Sequence, residues 1–357
     1  MLFLLKYLFL FLIISYARMA NAQNIFNQQD IIKSYPIAHS VRPCCNFGLD
    51  TIPQIIKLAK IIDKSQLAGH HFSSKKDRTG MLYTCHAGFI DISHLRDTAD
   101  WAAHVYWNLK TYLNSGKEIP ARKEGGSIRR SVFFPKDDTI IIDDLTENDL
   151  ILIATSISYQ FALFHEIATS FPIAVSVPAA FFVYEKSSAF SIEDSYSNYL
   201  GSYLGALAAS KSIDLKSYNK NLTDLLNEKL LELKAVDSIQ TFKAYQSVRG
   251  LWWIKSFMNN YKNLLKRDYS FENEIKPNVI ENFDSCQNTQ PISLLIPKKL
   301  SNHELIFGYF EARNYLNNKM LKKMEKMGID RTYYDKNPLT QFQFRQVIDV
   351  IKKKLGN

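Results

Sequence analysis

Only 13 glycines, 11 prolines and 4 cysteines occur in 357 residues. That composition excludes a collagen-like chain, a linker-rich chain and a disulfide-dense scaffold. No internal repeat, low-complexity tract or convincing linker is present, so a solenoid is excluded as well. Acidic residues are outnumbered 35 to 44 by lysine and arginine, giving a formal charge of +9. From Ile151 to Phe164 charge is missing altogether. A helix that is apolar on every side is normally buried, and a buried carboxylate is costly unless paired, hydrogen-bonded or metal-bound. The stretch nevertheless runs directly into His165-Glu166. That pair either has partners elsewhere in the chain or marks a site.

What is present is a globular composition, 46% hydrophobic and 13% aromatic. The excess of basic residues raises nucleic-acid binding as an option. The cations are scattered, however, and the mild clusters Lys319 to Lys326 and Lys352 to Lys354 sit on helical patterns with an apolar opposite face. A solvated face explains them, and no nucleic-acid partner is expected.

The first 22 residues contain Lys6, an apolar run from Tyr7 to Tyr16 and the small-residue end Ala20-Asn21-Ala22. That order is the pattern of a secretory signal peptide cleaved before Gln23. The run is shorter than the roughly 20 residues of a spanning helix. The expectation is export to the periplasm or outside, with no stable membrane span after cleavage.

The four cysteines are Cys44, Cys45, Cys85 and Cys286. An even number in an oxidising compartment favours disulfides, and sequence alone does not choose among the three connectivities. Because a bond between neighbours is strained, pairing Cys44 and Cys45 outward to Cys85 and Cys286 is the simplest scheme. Cys85 also precedes a helix-like run, where the dipole would acidify a thiol. It is therefore a rival candidate as a nucleophile.

Helical patterning dominates over Phe89–Leu113, Ile151–Thr169, Leu222–Val236, Ser238–Asn259, Glu304–Met327 and Phe342–Leu355, with a short run at Ile52–Ile62. Arg129–Phe134 and Thr139–Asp143 read as a hairpin around Pro135–Asp138. Thr146-Glu-Asn-Asp149 and Ser191-Ile-Glu-Asp194 read as capping sequences, and 278–300 as extended. The expected fold is mainly α, of the α+β class. It is a single helix-rich domain over 23–357 with a small β insertion near 117–144.

Four stretches carry chemistry. His165-Glu166-Ile-Ala-Thr169 resembles half of the His-Glu-x-x-His zinc-protease helix, with Thr169 in place of the second ligand. Glu193-Asp194-Ser-Tyr-Ser-Asn198 is similar to the downstream acidic helix that completes the site in thermolysin-like enzymes. Asp91, His94 and Asp97 recur at a spacing of three along one helix side, beside Asp100, His104 and an Arg96–Asp100 pair. His70-His71 follows Gly69 and is read either as ligands or as a helix cap.

Taken together, Arg42-Pro-Cys-Cys-Asn-Phe-Gly48, His70-His71-Phe72, Tyr83-Thr-Cys85 through Trp101, His165–Thr169 and Ser188–Asn198 resemble a family of secreted bacterial proteins catalogued as domain of unknown function 4056. The resemblance spans roughly Arg42 to Gly205. It implies that His-Glu-Ile-Ala-Thr is the family's own pattern, with Thr169 not a lost histidine. His86 stands where the pattern has arginine.

The expected function is a metal-dependent hydrolase. His94, His165 and Asp194 or Glu193 would hold one divalent, zinc-like transition metal, and Glu166 would act as general base. Asp97, His70, His71, Cys85 and Asn198 are further candidates. One alternative is a Cys85–histidine amidase. Another is a secreted binding or surface protein whose His-Glu pair is structural. The sequence names no substrate.

Overall fold

The computed structural model describes residues 37–38, 42, 61–124, 128–138, 142–170, 189–252, 267–302, 304–326, 328–330 and 338–355. The proposed signal peptide, Cys44, Cys45 and most of the Ile52–Ile62 run lie outside the described residues. Among the described residues the fold is mainly α, of the α+β class. Seven α-helices stand beside small antiparallel sheets.

Strands β1 (Met81–Thr84) and β2 (Gly88–Asp91) form a hairpin with Met81 opposite Asp91. Helix α1 (Ile92–Tyr112) starts directly from its end. The helical pattern beginning at Phe89 is therefore corrected: its first residues are β2. Asp91 ends the strand and caps α1, its Oδ1 accepting from the Ser93 N–H at 2.6 Å and the His94 N–H at 3.3 Å. An acidic N-cap satisfies donors that the helix leaves unpaired.

Strands β3 (Lys117–Glu124) and β4 (Ile128–Phe134) pair antiparallel, and β4 pairs on its other side with β7 (Glu311–Tyr315). The predicted strand Arg129–Phe134 is thus real but its partners are not those expected. Residues 139–141 lie outside the described set, and Ile142–Asp144 is a 3-10 turn. Strand β7 also corrects the expected long helix over Glu304–Met327. Its alternating burial has the two-residue period of a strand. Two short strands pair, β5 (Glu274–Ile275) just before the 278–300 region read as extended and β6 (Leu294–Leu295) within it, where Asp284–Cys286 is a 3-10 turn.

Helix α2 (Glu147–Ser170) is the charge-poor segment. The Thr146–Asp149 cap forms as expected: the Thr146 N–H donates to Asp149 Oδ2 at 2.9 Å, and the Asp149 N–H donates to Thr146 Oγ1 at 3.2 Å. By length and composition α2 is apolar enough to cross a membrane, yet 89% of its most apolar window is buried inside the protein. It packs against both α1 and α3 (Asp194–Ser210), which also lie directly on each other. Helices α4 (Leu215–Glu232) and α5 (Ser238–Val248) follow, and α6 (Asn318–Lys326) and α7 (Gln341–Leu355) complete the set.

Small residues bring α1, α2 and α3 together. A Cβ on Gly201 would sit 2.2 Å from the Leu95 carbonyl oxygen, and one on Gly205 would sit 2.1 Å from that of Ala99. The two glycines are four apart, so they share one face of α3 and let its backbone lie on that of α1. The Ser158 hydroxyl of α2 donates to the Thr98 carbonyl of α1 at 2.8 Å, and its oxygen accepts from Ser202 of α3 at 3.1 Å. These contacts fix the relative height of the three helices, and hence what meets at their ends.

Candidate functional site

His94 in the first turn of α1, His165 and Glu166 in the last turns of α2, and Asp194 and Asn198 in the first turns of α3 converge. His94 Nδ1 lies 3.2 Å from Asn198 Oδ1 and 3.8 Å from Asp194 Oδ1. The rings of His94 and His165 meet edge to face with centroids 6.0 Å apart. Of the two imidazoles, His94 keeps 12% of its side chain exposed and His165 is half-buried, so the cluster is reached through them. Thr169 takes no part. Its hydroxyl folds back onto the His165 carbonyl at 3.0 Å and the Glu166 carbonyl at 3.1 Å, a habit of threonine inside helices.

The carboxylates crowd behind the histidines. Asp91, Glu166, Glu193 and Asp194 are each buried. Glu166 Oε2 accepts the Phe190 N–H at 2.8 Å, while its Oε1 is buried without a hydrogen-bond partner among the described residues. Asp194 Oδ2 accepts the Ser191 N–H at 2.9 Å, and Glu193 Oε2 accepts from the Ser191 hydroxyl at 2.5 Å. The Ser191–Asp194 capping expectation is therefore half met, since α3 begins only at Asp194. Burial raises the carboxyl pKa of Glu193 to about 8, with Asp91 and Glu166 adding to the rise. Burial also raises Asp194 well above the usual range, reinforced by the charges of Glu166, Glu193 and Asp91. Like charges in a desolvated place disfavour ionisation. Among the described residues, Arg267 is a cation in the field of this cluster; it is itself lowered by burial and raised by the charges of Tyr269, Glu166 and Asp194.

The remaining sequence candidates lie elsewhere. Asp97, despite its helical spacing from His94, turns to Arg42: the Arg42 N–H donates to Asp97 Oδ2 at 3.0 Å and Nη1 to Oδ1 at 2.8 Å. The same guanidinium also reaches Asp100 and Asp77, each at 2.9 Å. His70 is buried against Asp100 at 2.8 Å, and exposed His71 bonds Asp77 at 2.9 Å. Neither histidine caps a helix; both belong to this second buried ionic network. Arg96 does not pair with Asp100 as expected but with Asp77 at 3.0 Å, because its side chain runs back toward the 67–69 loop, where it bonds the Leu67 and Gly69 carbonyls.

Cys85 and Cys286 form a disulfide. This overturns both the pairing of these two residues with Cys44 and Cys45 and the use of Cys85 as a thiolate nucleophile. The bond holds the β1–β2 turn to the 278–292 segment, where the Ile292 N–H also donates to the His86 carbonyl at 2.8 Å.

Sequence reasoning missed Asp91 as a neighbour of the carboxylates, Arg267 as their counter-ion, and Gly201 and Gly205 as the device that brings α1 and α3 together. The last carried a signal, Gly-x-x-x-Gly amid Ser202, Ala206, Ala208 and Ala209. Arg267 carried none, since a lone arginine far along the chain has no local pattern.

Chemically, the cluster offers two imidazoles, an amide and several buried carboxyl groups. Atoms that share one ion at bonds of about 2.1 Å lie roughly 3.0–3.5 Å apart at tetrahedral angles. Among the described residues, no three His, Cys, Asp or Glu side chains already close around one point. Binding would need the second imidazole, or a carboxylate, to turn inward.

No curated protein and no solved structure matches the chain. Residues 32–281 match the family described as protein of unknown function (DUF4056), and the chain belongs to that family.

Proposed function

We propose that the protein is an exported metal-dependent hydrolase whose site is the His94–His165–Glu166–Asp194 cluster. The observation that carries this is the meeting of His94 and His165, edge to face, with the buried carboxyl of Asp194 3.8 Å from His94 Nδ1, at the ends of three helices. In this reading His94, His165 and Asp194 hold a zinc-like ion, with Glu193 as the alternative carboxylate. When bound, such an ion supplies Lewis acidity at the reacting carbonyl and at water.

The protein's own residues do the rest. Glu166 Oε1 accepts a proton from the attacking water, and the Phe190 N–H on Oε2 keeps the carboxylate aimed. Asn198 holds the His94 ring through Nδ1. Export is supported by the Met1–Ala22 pattern and by the Cys85–Cys286 disulfide, a bond typical of oxidising compartments.

The test is the metal content of protein purified without chelator. About one transition-metal ion per chain in the wild type, lost in His165→Ala, supports the reading. An empty wild type that also takes up no zinc on titration leaves the cluster as core structure.

A further inference from the structure

A cleft of about 350 Å³ opens between residues 269–274 and helix α7. That is at the small end of the roughly 300–1,000 Å³ of ligand pockets. From α7 it is lined by Arg345, Asp349 and Lys352, whose spacings of four and three put them on one helix face. The opposite wall carries Tyr269, Glu272 and Glu274. Arg345 Nε lies 3.1 Å from Glu272 Oε1, an exposed ion pair across the cleft that a charged ligand can exchange for its own groups.

The cleft is next to the proposed site. The Tyr269 ring packs on Phe190 at 4.9 Å, and the Phe190 N–H is the donor that holds Glu166. The Asp268 N–H donates to the Phe190 carbonyl at 3.1 Å, which ties the cleft wall to the same turn. Tyr269 is thus joined through one residue, Phe190, to the Glu166 carboxylate.

The lining decides what kind of ligand fits. Phe190 lies on one side of the Tyr269 ring, and Lys352 Nζ stands 5.0 Å from its centroid. The ring is therefore not a free platform for a sugar. Instead, cations and carboxylates alternate along the cleft, which suits a chain bearing charges of both signs and amide groups between them.

We propose that this cleft binds a short peptide segment of the substrate with both an acidic and a basic side chain, which makes the scissile bond an amide. The proposal rests on the hydrolytic reading above for its chemistry, but not for its binding. In the cleavage, the water oxygen bonds to the carbonyl carbon and the C–N bond breaks. The acid leaves as carboxylate, and the amine carries both water protons as an ammonium.

The experiment is calorimetric titration of the full chain with the blocked tetrapeptide Ala-Glu-Lys-Ala, followed by mass spectrometry of the mixture. Wild type should bind it at least tenfold more tightly than an Arg345→Ala, Lys352→Ala double variant. Both side chains lie at the surface of α7, and circular dichroism checks that the double variant stays folded. Tetra-alanine should bind more weakly than the charged peptide. His165→Ala should bind the charged peptide as wild type does but leave it intact. No binding by wild type, equal binding by the double variant, or equal binding of tetra-alanine or of a chitin trisaccharide overturns the cleft assignment. Charge-dependent binding with no cleavage by the zinc-loaded wild type keeps the cleft and overturns the hydrolytic reading.

Discussion

Gly205 lies directly against the backbone of Ala99: a methyl group placed on it would meet the Ala99 carbonyl oxygen at 2.1 Å. Helix α3 can therefore approach α1 only as long as that position has no side chain. Replacing Gly205 or Gly201 by alanine should push the helices apart and destabilise the protein by at least about 1–3 kcal/mol, the range for overpacked cores. The gain in helix propensity, up to about 1 kcal/mol, offsets only part of this. Urea midpoints of the two variants check it. A midpoint equal to wild type would mean that the helices do not touch there.

Arg42 is held by Asp77, Asp97 and Asp100 with its side chain fully buried. Truncating it to alanine leaves three carboxylates in the interior short of a cation. Breaking a buried ion pair costs about 3–5 kcal/mol, and Arg42→Ala should lose at least that by chemical denaturation. An Arg42→Met variant of similar reach should not rescue it, because the missing element is charge.

The same network sets an acid limit. Burial lowers the pKa of His70 below its usual value of 6.5, outweighing the attraction of Asp100. Burial pushes the Asp100 carboxyl upward, but His70, Arg42 and hydrogen bonds from His70 and the Ser73 N–H bring it down to about 2. Both groups have folded values below their unfolded ones. Each therefore contributes stability above its unfolded pKa that is lost as pH falls through the folded value. Melting temperature should fall in two stages, below about pH 6.5 for His70 and between about 3.8 and 2 for Asp100. Thermal scans of His70→Gln should lack the first stage and show the second moved to higher pH, because His70 is the largest of the influences that lower Asp100.

Asn198 orients the His94 ring without carrying charge. Removing a partner of a metal-binding histidine typically weakens affinity by about 10–100-fold. Zinc titration of Asn198→Ala should show a loss in that range, with Asn198→Asp recovering most of it. An unchanged affinity would detach Asn198 from the proposed site.

Non-reducing peptide mapping should recover Cys85 linked to Cys286. Replacing both by serine should lower stability by about 2–5 kcal/mol, the usual range for a native disulfide. Finding Cys85 alkylated in the unreduced protein would restore its candidacy as a nucleophile.

Much of this organisation is legible in the chain because it depends on neighbours. The Thr146–Asp149 cap, the burial of Ile151–Phe164 and the closing helix from Gln341 to Leu355 follow local rules of capping and periodicity. The same locality misleads elsewhere. Glu311–Tyr315 reads as helix until β4 offers it an edge to pair with, and Phe89–Asp91 reads as helix until β1 does. Strand pairing is a non-local choice, and propensity yields to it.

For the site, the sequence alone determined the residue types: a histidine–glutamate pair ending an uncharged helix, with acid- and histidine-bearing helices before and after it. Only the tertiary structure decided which of them meet. Asp97, His70 and His71 were assigned to Arg42 and its network, and Cys85 to Cys286, while His94, His165, Glu166, Asp194 and Asn198 were brought to one place. The physical reason lies in the crossing of α1 and α3. Two glycines set how closely the backbones approach, and that approach determines which end-of-helix side chains share a desolvated space.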